Sequence, residues 1–264
     1  MDELETILTE ILNCPRSRLY LESNSIVFDE EQLKKLDYII SRRARSYPLE
    51  YILGFTDFMG LRFKVNKNVF IPRPETEILV EAAIQQISTL GFKFRHISIV
   101  DIGTGAGNIA ISLAKFLTNV QVVAVDISPA ALEIARENAL INKVEHKIKF
   151  LCSDLFSNRY FAKNKTKFEI IVSNPPYVSR DEMPLLEAAV KKEPMIALDG
   201  GKTGLDFYFR LSKVFKYYLK NKGLVILEIG YNQAKSIRDI FREYKIDFVK
   251  DYQNIERVCI IKRY

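Results

Sequence analysis

The chain has 264 residues and a formal net charge of +6, with 48% hydrophobic and 27% charged residues, a composition that argues for a folded globular protein and against a disordered or fibrous one. Three widely separated cysteines (Cys14, Cys152, Cys259) and two histidines (His96, His146) argue against a disulfide framework and a zinc cluster, so no metal site is expected. No apolar run reaches the roughly 18 residues of a membrane span, and the acidic start lacks the features of a signal peptide, which leaves the cytoplasm as the expected location. The positive charge permits a phosphate-rich partner, but no basic block is interleaved with aromatics. The nearest candidate, Arg42, Arg43 and Arg45, reads as a solvated helix end.

Residues 1–57 read as helical. Leu4, Ile7, Leu8 and Ile11 recur at helical spacing, and Asp29 is placed to cap a helix carrying Leu33, Leu36, Ile39 and Ile40 on one face. The character changes at Phe58. Phe63 and Val65 alternate with Lys64, Asn66-Lys-Asn68 reads as a turn, and residues 58–72 are expected to be a β-hairpin linker. From 73 to 264 helical and strand-like segments alternate, which predicts a mostly parallel sheet with right-handed crossovers. Strands are expected near 97–102, 121–126, 148–152, 169–173, 223–229, 246–250 and 256–262, and a helix near 232–241.

Four of these strands end in residues with chemical potential. The strand at 97–102 runs into Gly103-Thr104-Gly105-Ala106-Gly107 and then a helical stretch, the first half of a nucleotide-binding unit. The spacing is G-x-G-x-G, tighter than the dinucleotide fingerprint, and suits a loop that wraps a small ligand. The strand at 121–126 ends in Asp126, placed to accept hydrogen bonds from ribose hydroxyls or else to serve the helix that starts at Ser128-Pro129. Asp154 follows the next strand and is placed either near an adenine amino group, with Leu155 or Phe156 against the ring, or in a plain turn.

The strand at 169–173 ends in Asn174-Pro175-Pro176-Tyr177. The two prolines stop the ladder and stiffen the turn. Two carbonyls, from the Asn174 side chain and the Pro175 backbone, and an aromatic ring at Tyr177 suit a planar NH2 group. A proline turn with no ligand is the plainer alternative.

The order of glycine loop, ribose acid, adenine acid and Asn-Pro-Pro-Tyr resembles the class I S-adenosylmethionine (AdoMet) methyltransferases that act on amino groups. Further motifs are similar to the HemK/PrmC family: Pro48-Leu-Glu-Tyr-Ile-Leu-Gly54, Ile71-Pro-Arg-Pro-Glu-Thr-Glu77, Glu193-Pro-Met-Ile-Ala-Leu-Asp-Gly-Gly201 and Gly204-Leu-Asp-Phe-Tyr208. The resemblance runs from about Arg42 to the C-terminus, while the first forty residues match in helical character alone. It implies a Rossmann-like, seven-stranded α/β methyltransferase domain over 73–264 behind a small helical substrate-recognition domain over 1–57. It also implies AdoMet as cofactor and methylation of N5 of the glutamine in the Gly-Gly-Gln loop of class-1 peptide-chain release factors. By the same resemblance, Gly103 to Gly107, Asp126, Asp154, Leu155 and Asn174 would hold AdoMet. Asn174 to Tyr177 would form the glutamine pocket, and Arg73, Glu75 and Thr76 would help to close the cofactor pocket. Some relatives carry an aromatic ring at the position of Leu155.

A nucleic-acid amino methyltransferase presents the same planar NH2 problem and is the main alternative. The chain has no room for a large base-recognition region after the tetrapeptide, and no stable nucleic-acid partner is expected. A binding module without turnover and an NAD-dependent oxidoreductase are further alternatives. The intact motifs argue against the first, and the glycine spacing and lack of a suitably placed His or Tyr-Lys pair argue against the second.

Overall fold

A computed structural model describes residues 3–21, 26–89, 96–164 and 166–262. Residues 1–2 and 22–25 of the region read as helical, and 90–95, 165 and 263–264 of the region read as alternating, lie outside the described residues. Among the described residues no helix is long and apolar enough to cross a membrane.

The N-terminal region forms α1 (Glu3–Leu12), α2 (Arg16–Leu21), α3 (Glu30–Arg43) and α4 (Leu49–Leu53). Asp29 caps α3 as its position suggested, and Gln32 reciprocates in a capping box. The apolar face expected on α3 is only partly buried. Ile39 joins Ile7 and Ile11 in a small core with Leu36, Leu49, Ile52 and Leu53 packed against it, whereas Leu33 is 48% and Ile40 55% exposed. A short bundle has too little partner surface to cover a whole stripe. Arg43 is not a free solvated charge: it pairs with Glu3 and donates to the Tyr47 carbonyl at 2.7 Å.

The hairpin is β1 (Phe55–Phe58) and β2 (Leu61–Lys64), earlier than the 58–72 expected from sequence. Its turn is Met59-Gly60, both at positive φ, the geometry of a two-residue hairpin turn. Asn66 to Asn68 does turn, with Val69 N–H donating to Asn66 O, but after the second strand. The early turn lets Phe58 and Phe63 meet edge to face, 6.0 Å apart, and both enter the main core. Two buried asparagines then dock the hairpin on a later helix, α7 (Pro129–Ile141) and its C-cap. Asn138 accepts from Lys64 N at 2.6 Å and donates to Lys64 O and Ala106 O, both at 2.9 Å. Asn142 donates to Arg62 O at 3.1 Å. These bonds satisfy the free backbone edge of β2, which would otherwise offer unpaired groups to solvent.

After α5 (Pro74–Thr89) come β3 (Ile97–Ile102), α6 (Asn108–Phe116), β4 (Val120–Asp126), α7, β5 (Ile148–Cys152), α8 (Arg159–Asn164) and β6 (Phe168–Ser173). The chain closes with α9 (Asp206–Tyr218), β7 (Leu219–Glu228), α10 (Ala234–Ile240), β8 (Lys245–Lys250) and β9 (Glu256–Lys262). The seven strands lie in the order β5-β4-β3-β6-β7-β9-β8, parallel except at β9, which pairs antiparallel with both neighbours. The order reverses between β3 and β6, the switch point at which a cleft opens beyond the carboxyl ends of parallel strands. Side chains of α5 and α6 and the hairpin phenylalanines pack on one face, and those of α8, α9 and α10 on the other. That is why the central strands are apolar on both sides. β7 begins four residues before its expected start. Leu219 is buried against Phe168 ahead of a bulge, and the polar Lys220-Asn-Lys222 that follows hides it in the sequence.

Candidate active site

The carboxyl ends of β3, β4, β5 and β6 line one cavity of about 300 Å3. Gly103, Thr104, Gly105, Ala106, Asp126, Asp154, Leu155, Asn174, Pro175, Pro176 and Tyr177 all face it. Gly107 and Phe156 do not. Gly107 is the N-cap of α6, where a Cβ would meet Ile111 Cδ1 at 2.9 Å and Ala135 Cβ at 3.1 Å, so helix packing requires it. Phe156 stacks on Tyr218 at 4.0 Å in the second core, so of this pair Leu155 lines the cavity. Leu155 itself turns the chain at φ 49.

The glycine loop is held from behind. Gly103 N–H and Thr104 N–H both donate to Val125 O, and Thr104 Oγ1 donates to Asp101 Oδ2 at 2.6 Å. Asp101 is wholly buried near the end of β3, and burial pushes its carboxyl up to about 7 against the Thr104 hydrogen bond. Gly103 and Gly105 have φ of +72 and +55, and a Cβ at either would meet no atom within 4 Å, so their outer side is open space.

Asp126 ties the glycine loop to the start of α7 and also lines the cavity. Its Oδ2 accepts from Gly105 N and its Oδ1 from Ser128 N, both at 2.9 Å, while Ser128 Oγ caps α7 through Ala131 N. With backbone donors at Gly105, Ser128 and Ile127, the carboxylate retains acceptor capacity for a further hydroxyl. Burial raises the Asp126 pKa, and the backbone bonds oppose it. Asp154 is half-exposed at the rim, where Arg210 from α9 pairs with its Oδ2 at 2.6 Å. A cavity with an open glycine loop, a ribose-height carboxylate and an apolar side chain beyond it fits a nucleoside carrying a short polar arm.

The tetrapeptide is braced from three sides. Asn174 Nδ2 donates to Thr76 Oγ1, in the first turn of α5, at 3.0 Å. Tyr177 O accepts from Gln233 Nε2 at 3.0 Å, and Gln233 Oε1 accepts from Gly230 N at 2.9 Å. The loop after the tetrapeptide packs so closely that a Cβ on Gly204 would lie 2.3 Å from Tyr177 O, at a φ of +74. Tyr177 Oη donates to Glu228 Oε1 at 3.4 Å. Of the three linker residues, only Thr76 lines the cavity. Arg73 pairs with the buried Glu193, which also accepts from Ile71 N at 3.0 Å, and Glu75 is exposed at the helix start. Gln233, Glu228, Asp101, Asn138 and Arg210 therefore carry supporting roles that a motif search does not assign, while Thr76, to which the resemblance points, braces Asn174. A polar residue inside or just after an otherwise apolar strand (Asp101, Glu228) was the signal available.

The strand order and the cavity at the switch point define a class I methyltransferase fold. Solved structures agree: a methyltransferase from Pyrococcus furiosus aligns with TM-score 0.54 and 16% identity over 89% of this chain and 99% of that one. A ribosomal protein L11 methylase from Lactobacillus delbrueckii aligns with TM-score 0.54 and 21% identity over 76% of this chain and 84% of that one. Residues 75–202 match the Methyltransferase small domain family and residues 2–54 the PrmC N-terminal domain family. A release factor glutamine methyltransferase of Clostridium acetobutylicum is 37% identical over 100% of this chain and 91% of its own length. One of Thermodesulfovibrio yellowstonii is 37% identical over 99% and 92%. The chain belongs to the release factor glutamine methyltransferase family.

Proposed function

We propose that this chain transfers the methyl group of S-adenosylmethionine to the side-chain amide nitrogen of the glutamine in the Gly-Gly-Gln loop of class-1 release factors. The observation that carries the proposal is the meeting, in one cavity, of the glycine loop and an Asn-Pro-Pro-Tyr turn whose asparagine is anchored through its NH2. With Nδ2 given to Thr76, the Asn174 carbonyl is left for the cavity. The names of the full-length relatives and the N-terminal family match favour a protein glutamine over a nucleobase.

Bound AdoMet supplies an activated methyl on a sulfonium, so no strong base is needed to start the transfer. The glycine loop would hold its amino-acid arm, Asp126 its ribose, and Asp154 and Leu155 its base. An amide nitrogen is a poor nucleophile because its lone pair is delocalised into the carbonyl. Asn174 Oδ1 and Pro175 O would accept its two N–H bonds, favour charge developing on nitrogen and aim it at the methyl group. Tyr177 would pack against the flat amide, and the proton would leave to water after transfer. The helical region over 1–57 would recognise the rest of the factor.

The test is methyl transfer from labelled AdoMet to purified unmodified release factor, beside a factor whose loop glutamine is replaced by alanine. Label on the wild-type factor alone supports the proposal, and label on both or neither, with AdoMet bound, rejects it. Asn174→Ala should retain AdoMet binding and lose about 100-fold in kcat.

A further inference from the structure

Glu228 ends β7 at the same edge of the sheet as the tetrapeptide, yet it takes no part in the methyl transfer itself. It is 2% exposed, and its Oε2 has no hydrogen-bond partner. Its Oε1 accepts from Tyr177 Oη, and the Thr76 hydroxyl interacts with the same carboxyl. Thr76 is also the residue that receives Asn174 Nδ2. One buried acid therefore accepts from Tyr177 and acts on Thr76, the residue that braces Asn174.

A hydroxyl has one proton and two lone pairs, and the two ends of an asparagine amide have nearly the same shape. Thr76 alone cannot choose between them: it can accept from the NH2 or donate to the carbonyl. An ionised carboxylate only accepts. Beside it, the Thr76 proton would turn toward the unpartnered Glu228 Oε2 and its lone pairs toward Asn174. The Asn174 NH2 must then face Thr76 and its carbonyl must face the cavity. We propose that Glu228 is a positioning residue that, through Thr76, sets which end of the Asn174 amide meets the substrate. This inference rests on reading the cavity as a glutamine methyltransferase site.

The groups facing this carboxyl are Thr76 and Glu75 from α5, Tyr177 after β6, Arg257 from β9 and Tyr208 from α9. Burial pushes Glu228 up to about 7, with Thr76, Tyr177 and Arg257 opposing and Glu75 adding. A protonated Glu228 donates where it had accepted, which frees the Thr76 proton to meet the Asn174 carbonyl and turns the amide around. Turnover should therefore rise with pH through about 7. One unit below that pKa only about a tenth of the carboxyl is ionised.

The experiment measures kcat for methylation of unmodified release factor at saturating AdoMet across this pH range. It compares wild type, Thr76→Val, Thr76→Ser and Glu228→Gln, with calorimetric AdoMet binding and thermal unfolding on each. Thr76→Val should lose about 10- to 100-fold in kcat with AdoMet affinity and Tm retained, and Thr76→Ser should recover most of the loss. Glu228→Gln should lose activity and also the acid limb of the pH profile. The inference is overturned if Thr76→Val and Glu228→Gln keep kcat within about twofold, or if the acid limb survives in Glu228→Gln. It is equally overturned if activity falls only in step with Tm or AdoMet binding, which would make both residues structural. A wild-type enzyme that labels no release factor rejects the functional reading, and this inference with it.

Discussion

Asn138→Ala should damage stability and cofactor binding together, because one side chain joins the linker hairpin to the glycine loop. The residue is fully buried and makes three hydrogen bonds, to Lys64 N, Lys64 O and Ala106 O. Truncation leaves the Ala106 carbonyl buried without a partner, at a cost of about 1–3 kcal/mol. The two Lys64 groups lie nearer solvent and add less, so a total of roughly 2–4 kcal/mol is expected. For a chain of this size that corresponds to a fall in Tm of about 5–12 °C. Ala106 lines the cavity, so the loosened loop should also weaken AdoMet binding. Asn142→Ala is the control. It removes the bond to Arg62 O from the same hairpin but touches no loop residue, and should lower Tm by less with AdoMet affinity unchanged. Thermal unfolding and isothermal calorimetry decide the matter. An Asn138→Ala protein with reduced Tm and wild-type AdoMet affinity would refute the coupling of hairpin to loop.

Three other outcomes follow from the geometry. Gly204→Ala places a methyl 2.3 Å from Tyr177 O at a left-handed φ, and should lower kcat sharply by displacing the tetrapeptide while the protein still folds, as checked by single-turnover kinetics and circular dichroism. Arg73→Met strands Glu193, whose side chain is 1% exposed, and should destabilise by about 3–5 kcal/mol in denaturant titrations, whereas Arg73→Met/Glu193→Leu should recover much of the loss. Asp101 is raised from 3.8 to about 7 in the fold, so its contribution to stability is complete below about 4 and is lost as pH rises through about 7. Asp101→Asn should flatten that part of the pH–stability curve relative to wild type, and an unchanged difference between the two across the window would contradict the assignment.

The strand ends were legible because their chemistry and their place coincide. An apolar two-sided strand followed by glycines, an aspartate or Asn-Pro-Pro-Tyr carries its meaning locally, and the local marks fall on successive parallel strands. Gly107 lies off the cavity, and the glycine spacing does not say which glycine faces it and which packs the helix behind it; Ala135, 28 positions away, makes that choice. Leu155 and Phe156 are adjacent and both apolar, and the packing of Phe156 on Tyr218, with Leu155 at positive φ, decides which of them faces the cavity. The hairpin was misread by a few residues because its turn, Met59-Gly60, lacks the Asn-Gly signature, while Asn66 to Asn68 carries a stronger turn composition.

The sequence by itself determined the alternation of strands and helices, the helix caps at Asp29 and Ser128, and most of the strand-end residues that line the cavity. These follow from periodicity, backbone restriction and side-chain chemistry over a few residues. Tertiary structure alone decided how those residues are held. Thr76 reaches Asn174 across 98 positions, Glu193 reaches Ile71 across 122, and Gln233 reaches Tyr177 across 56. No local rule pairs such residues, because their partners are set by the sheet order β5-β4-β3-β6-β7-β9-β8, which brings distant strand ends to one edge. A buried polar group needs a partner, and the fold supplies that partner from wherever the crossover returns the chain.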